Sequence, residues 1–192
     1  MIGAGAALRR AGLRLSGDLI LAGTSHDDAG VRAALADVAR VGMAVVGEPT
    51  GNKIGIAARG IAWLDLTIRG KPVHSGMADT GVNPLDKLPA LLTALRAIPL
   101  KSQEGLLPAL LTPVRVDTFA TPPRTPHSIT LRLDRRLLPG ETAAGVKSEI
   151  ERTLAVLRDS DPELDAEVAI ADEMLPFRAD VNGRLERLLR AA

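Results

Sequence analysis

Four places in this 192-residue chain carry side chains able to move a proton, ligate a metal or grip an anion. Asp27-Asp28 follow the apolar run Asp18–Thr24, and Glu48 follows a second apolar run, Met43–Gly47. If both runs are strands, the three carboxylates stand just past neighbouring strand ends, where open α/β sheets place their ligands. Carboxylates grouped in this way are hard oxygen donors suited to a pair of divalent metals. A further carboxylate could act as general base toward a bridging water. The same residues also have a plainer reading. Acidic side chains favour the positive end of a helix, so Asp27-Asp28 could simply start the helix that follows. Glu48, ahead of Pro49, could be a solvated turn residue.

His74, flanked by Ser75 and Gly76, sits in a loop and could donate a hydrogen bond to a substrate carboxylate or an oxyanion. Arg136 closes an alternating stretch and could fork onto a carboxylate. The alternatives are a surface histidine and a surface arginine, the latter also being the reading of Arg135 beside it. His26 and His127 show no partner in sequence and read as structural or solvated.

The elements that must position these groups follow from hydrophobic period. A short helix is expected over residues 4–14. Asp18–Thr24 and Met43–Gly47 are continuous apolar runs of strand length, the mark of strands buried on both faces. With a helix over 30–40 between them they make a parallel crossover unit. From Ile61 to Ile68, Leu64, Leu66 and Ile68 alternate with Trp63, Asp65 and Thr67, the period of a half-buried strand. The loop Gly70–Gly81 leads to Asn83-Pro84, a helix-start signal. Leu85, Leu88, Leu91, Leu92, Leu95 and Ile98 then mark one apolar helix face. Leu111–Thr118 and Ile129–Leu133 are further strands separated by the proline-rich turn Thr121–Pro126. Pro139-Gly140 turns the chain into a helix with Val146, Ile150, Leu154 and Leu157 on one face. Leu164–Ile170 is a last strand. Strand, helix, strand, strand, helix, strand over 61–171 is the split ferredoxin-like pattern. The basic piece Asn182–Ala192 reads as a helix whose partner lies elsewhere.

Composition narrows the function classes. The net charge of +1 and 2% aromatic content offer neither a basic field nor stacking platforms for nucleic acid. With no cysteine, thiolate zinc sites and cysteine nucleophiles are excluded. No stretch has the length of a membrane span or the layout of a signal peptide, so the expected location is the cytoplasm.

Taken together, GEPT at 47–50, the run from Arg59 to Ser75 with its Gly70-Lys71 and His74-Ser75, GVNP at 81–84 and LDRRLLPGE at 133–141 resemble a known family. It is that of the dinuclear zinc peptidases and deacylases, which includes acetylornithine deacetylase, succinyl-diaminopimelate desuccinylase, aminoacylase and carboxypeptidase G. The resemblance runs from about Leu19 to Phe177. It implies a fragment of the α/β zinc-peptidase domain over 1–60, a ferredoxin-like βαββαβ lid that mediates dimerisation over 61–171, and a return toward the catalytic domain over 172–192. It implies zinc or cobalt as cofactor and an N-acyl-amino acid or peptide as substrate. Asp27 falls on the general base, and Asp28 and Glu48 on metal ligands. His74 falls on the lid histidine that reaches into the partner subunit's site. Arg136 falls on a lid arginine that binds the substrate carboxylate.

Two departures stand out. The family's pair of glutamates is here Asp27-Asp28, each one methylene shorter, and its lid asparagine is here Pro123. The first metal-binding motif and the last ligand histidine of the family have no counterpart in the sequence. Two expectations follow. One is a metal-dependent amide hydrolase, incomplete as this chain. The other is a non-catalytic lid module, a remnant or split half that still dimerises.

Overall fold

The computed structural model describes residues 2–24, 30, 33, 34, 36, 38 and 40–191. They fall into two compact units, Ile56–Val181 and a second made of Met1–Gly55 with Asn182–Ala192. The first unit contains a four-stranded antiparallel sheet. Its order follows from the strands β2 (Gly60–Arg69), β3 (Leu110–Thr118), β4 (Ser128–Leu137) and β5 (Asp165–Met174), which line up as β3-β4-β2-β5. Helix α2 (Pro84–Arg96) joins β2 to β3, and α3 (Ala143–Ser160) joins β4 to β5. This is the expected ferredoxin-like topology, with β4 inserted between the parallel pair β2 and β3. A short ribbon of β1 (Ala57–Ala58) and β6 (Phe177–Arg178) brings the two ends of the unit side by side. The unit is wider than residues 61–171 by this ribbon.

The strand period decides which face is covered. Ala62, Leu64, Leu66 and Ile68 of β2 and Ile129, Leu131 and Leu133 of β4 are all essentially inaccessible and form one core. Leu91 and Leu95 of α2 and Val146, Ile150 and Leu154 of α3 close it from above. Helix α2 starts where the sequence signals it: Asn83 Oδ1 accepts from the Leu85 N–H at 3.2 Å and Pro84 takes the first helical position. Helix α3 is capped twice. Thr142 Oγ1 accepts from the Gly145 N–H at 3.1 Å, and Glu173 of β5 accepts from the Ala143 N–H at 2.7 Å. The second cap ties the helix start to the sheet.

Among the described residues of this unit no helix covers the other face of the sheet, which carries a lattice of polar cross-strand pairs. Trp63 lies opposite Asp134, Asp65 opposite Arg132 and Thr67 opposite Thr130. Each pair is bonded, by Trp63 Nε1 to Asp134 at 3.3 Å, by a two-pronged Arg132–Asp65 contact, and by the two threonine hydroxyls at 3.2 Å. The hydrogen bonds from Arg132 hold the Asp65 carboxyl below the ordinary carboxylate range, against the opposing effect of burial. A carboxyl lowered by folding contributes stability in full above its unfolded value of about 3.9, and loses it as pH falls through the lower folded value. Asp65→Asn should therefore be less stable than the parent at about pH 7, with the gap closing toward about pH 2. Denaturant unfolding at the two pH values reads this; a gap independent of pH contradicts it.

The second unit is less regular. Helix α1 (Ile2–Arg10) begins and ends earlier than residues 4–14 and buries none of its residues. It stops at Gly12, whose φ of +65° suits glycine, with the Gly12 N–H donating to Arg9 O at 3.2 Å and the Leu13 N–H to Leu8 O at 3.4 Å. Helix α4 (Arg184–Ala191) is tied at its start by Glu186, which accepts from the Asn182 backbone. The two expected buried strands are not formed. Asp18–Thr24 and Met43–Gly47 carry no strand and are exposed throughout, Val46 at 71%. A strand apolar on both faces requires neighbours to pair with and layers to cover it. Among the described residues of this unit there is no strand to supply either. Of the helix expected over 30–40, residues 31, 32, 35, 37 and 39 lie outside the described residues, and 30, 33, 34 and 36 are helical.

Candidate functional site

His74 is held by the sequence on both sides of it. At the base of its loop, Lys71 and Val82 exchange both backbone hydrogen bonds, at 2.9 and 3.0 Å. This close approach is why residue 70 is glycine: a Cβ there would run into the Val82 carbonyl and the Pro84 ring. The other flank of the loop is fastened to residues 123–127, with the Ser75 N–H donating to Pro123 O at 2.7 Å and the Thr125 N–H to Val73 O at 2.9 Å. His74 then caps the 3₁₀ turn Ser75–Thr80, its Nδ1 accepting from the Gly76 N–H at 3.1 Å. With Nδ1 occupied as an acceptor, the neutral ring carries its proton on Nε2. The exposed imidazole therefore presents a hydrogen-bond donor, as holding a carboxylate or an oxyanion requires.

Arg136 stands on the open face of β4. Its Nε lies 2.9 Å from Asp134 and its Nη2 3.2 Å from the same carboxylate. Asp134 in turn accepts from Trp63. The side edge of the guanidinium is thus occupied and the end formed by Nη1 and Nη2 remains for a second carboxylate. Asp134 is a residue that sequence reasoning did not single out, although its place two residues before Arg136 in the strand period puts both on one face.

His74 and Arg136 do not come together within one chain. The end of β2 that leads to His74 pairs with Ser128, whereas Arg136 pairs with Ile61 at the far end of the same ladder. The step from Ser128 to Arg136 along β4, at about 3.3 Å per residue, is about 26 Å. One small ligand cannot touch both side chains of a single sheet.

Arg135 corrects the reading of a surface arginine. It is 1% exposed, on the helix-covered face, and its Nη2 donates to Glu141 at 2.8 Å. The other Glu141 oxygen accepts from the Leu138 N–H at 2.8 Å, so the pair clamps the turn from β4 into α3. Arg135 Nε and Nη1 have no hydrogen-bond partner among the described residues.

Of the candidate metal and base residues, Asp27 and Asp28 lie outside the described residues, as does His26. Glu48 lies in the unit of Met1–Gly55 and is exposed; its carbonyl accepts from the Thr50 N–H at 2.8 Å in the run-up to a turn at Gly51-Asn52. Among the described residues no group of three or more His, Cys, Asp or Glu could hold a metal ion. The described residues alone do not fit a dinuclear zinc site. His127 is exposed, and its carbonyl accepts from the Gly70 N–H at 2.8 Å. No helix among the described residues is long and apolar enough to cross a membrane.

Comparison with known proteins agrees with this architecture. A family model described as a peptidase dimerisation domain matches residues 56–161. Among solved structures, the chain is similar to a hydantoinase/carbamoylase family amidase from Burkholderia ambifaria, with 16% identity and a TM-score of 0.54, over 71% of this chain and 33% of that one. It is similar to an aminobenzoyl-glutamate utilization protein from Klebsiella pneumoniae, with 17% identity and a TM-score of 0.52, over 64% and 30%. A tripeptidase from Staphylococcus aureus shares 14% identity at a TM-score of 0.51, over 71% and 35%. The chain thus spans about a third of the length of each. No curated protein matches it.

Proposed function

Because the chain belongs to the peptidase dimerisation-domain family, we propose that its sheet-bearing unit is the pairing and substrate-holding lid of a metal-dependent hydrolase of amide bonds. The reaction is of the N-acyl-amino acid deacylase or peptidase kind, and the names of the amidase and the tripeptidase that share its fold agree with that class.

The observation that carries the reading is the separation of His74 from Arg136. Two groups suited to one anionic substrate belong to opposite ends of one ladder, whose span from Ser128 to Arg136 is about 26 Å. In a symmetric pair of chains, Arg136 of one copy and His74 of the other can face a common substrate, so dimerisation is a condition of binding. His74 then donates from Nε2 to the substrate carboxylate, and Arg136 of the other copy takes the same carboxylate through its free end. Zinc or cobalt belongs to this proposal as the metal of the whole hydrolase, with Asp28 and Glu48 as ligands and Asp27 as base. It would activate the attacking water. The cytoplasm is the proposed location.

A second reading, a non-catalytic lid module, is favoured by one specific observation: the family match, residues 56–161, is to a dimerisation domain. Both readings predict a dimer; they part on hydrolysis. The purified chain should sediment as a dimer at micromolar concentration and bind an N-acetyl-amino acid only while His74 is intact. A monomer that binds nothing contradicts the lid assignment. Hydrolysis of N-acyl-amino acids on adding zinc or cobalt separates the enzyme from the module.

A further inference from the structure

His74 lies directly opposite Arg124 across an isolated antiparallel bridge. The two backbone hydrogen bonds of the bridge, from Ser75 to Pro123 and from Thr125 to Val73, lie outside this pair. That arrangement makes His74–Arg124 a non-hydrogen-bonded pair, with Cα atoms about 4.5 Å apart and both side chains on the same side. The register is fixed again by Thr125, whose hydroxyl oxygen accepts from the Val73 N–H at 2.9 Å. Both His74 and Arg124 are exposed. The Arg124 guanidinium makes no hydrogen bond or ion pair with another described residue. A permanent cation with a planar fork therefore stands beside an imidazole whose free nitrogen is a donor, and neither has an acceptor among the other described residues.

We propose that Arg124 and the Nε2–H of His74 form one carboxylate-binding pair, with Arg124 supplying the fork and His74 the third donor. The proposal rests on the reading of His74 as a substrate-holding group. It also gives a physical account of Pro123. Proline at this position has no side-chain amide to donate. Its carbonyl is committed to Ser75, and the next residue turns a stronger donor to the same side as the histidine.

The test uses the full 192-residue chain with ¹⁵N-labelled histidine side chains, titrated at low salt with N-acetylglycine and, separately, with its uncharged amide. The His74 ring signal, identified by its loss in His74→Gln, should shift saturably with the acid and not with the amide. Arg124→Ala should weaken binding about tenfold or more, the worth of one charge-assisted contact. Arg124→Lys should recover only part of it, because an ammonium cannot fork. Because Arg124 is exposed, the backbone amide spectrum should stay that of the folded parent. If titration calorimetry with N-acetylglycine shows that His74→Gln abolishes binding while Arg124→Ala leaves it unchanged, the Arg124 assignment fails and the reading of His74 stands. If the parent shows no saturable shift, or neither substitution matters, both fail.

Discussion

Glu141→Ala is expected to lower the stability of the sheet-bearing unit by about 3–5 kcal/mol, the usual result of breaking a buried ion pair from one side. The reason lies in what is left behind. Arg135 is 1% exposed, and Glu141 is its one described hydrogen-bond partner. Without Glu141 a guanidinium remains in the core with nothing to offset its lost hydration, and the Leu138 N–H loses its acceptor as well. The pair itself adds little net stability, since two charges were desolvated to form it and two guanidinium nitrogens have no partner among the described residues. Arg135→Met in the Glu141→Ala background should therefore regain most of the loss, with an apolar side chain of similar reach beside Leu133 and Leu137. Denaturant unfolding of the two variants checks this. A Glu141→Ala protein as stable as the parent, or a double variant no better than the single, contradicts it.

Arg136→Ala is expected to weaken binding of an N-acyl-amino acid by about ten- to a hundredfold, the range of a charge-assisted contact. Arg136→Lys should not restore it. Asp134 occupies the Nε–Nη2 edge of the arginine, so binding a ligand at the other end requires a guanidinium that serves two carboxylates at once. Lysine would be drawn to Asp134 as a point charge and would offer the ligand no fork. Titration calorimetry of both variants with N-acetylglycine reads the difference. Parent-like affinity in Arg136→Lys contradicts the two-edged arrangement.

Most of the sheet-bearing unit could be read in the sequence because its signals are local. Alternation in Ile61–Ile68 and Ile129–Leu133, Asn83-Pro84 ahead of a leucine face, and Pro139-Gly140 ahead of another each state an element, and their order states the topology. Arg135 shows how such a pattern can be overridden by residue type. Its place between Leu133 and Leu137 puts it on the covered face, but arginine suggested solvent, and the glutamate that permits burial lies beyond a turn. The runs 18–24 and 43–47 show the opposite failure. Apolar character expresses a need for partners, and pairing is a long-range property that no window of sequence contains.

The site was legible only as single residues. His74 and Arg136 each carry the right chemistry, yet nothing local in the sequence says that they stand at opposite ends of one ladder, or that Arg124 faces His74 across a bridge fifty residues away in the chain. These are facts of register.

The most direct test of the proposed shared site is ligand binding to a mixed dimer. Chains carrying His74→Ala and Arg136→Ala, co-expressed with different tags and purified through both, should bind N-acetylglycine with parent-like affinity at about half the parent's capacity. In such a dimer one of the two symmetry-related sites retains both groups. Each variant alone should bind weakly at every site. A mixed dimer no better than the single variants would contradict the account, because it would mean that both groups act within one chain or not on a common ligand.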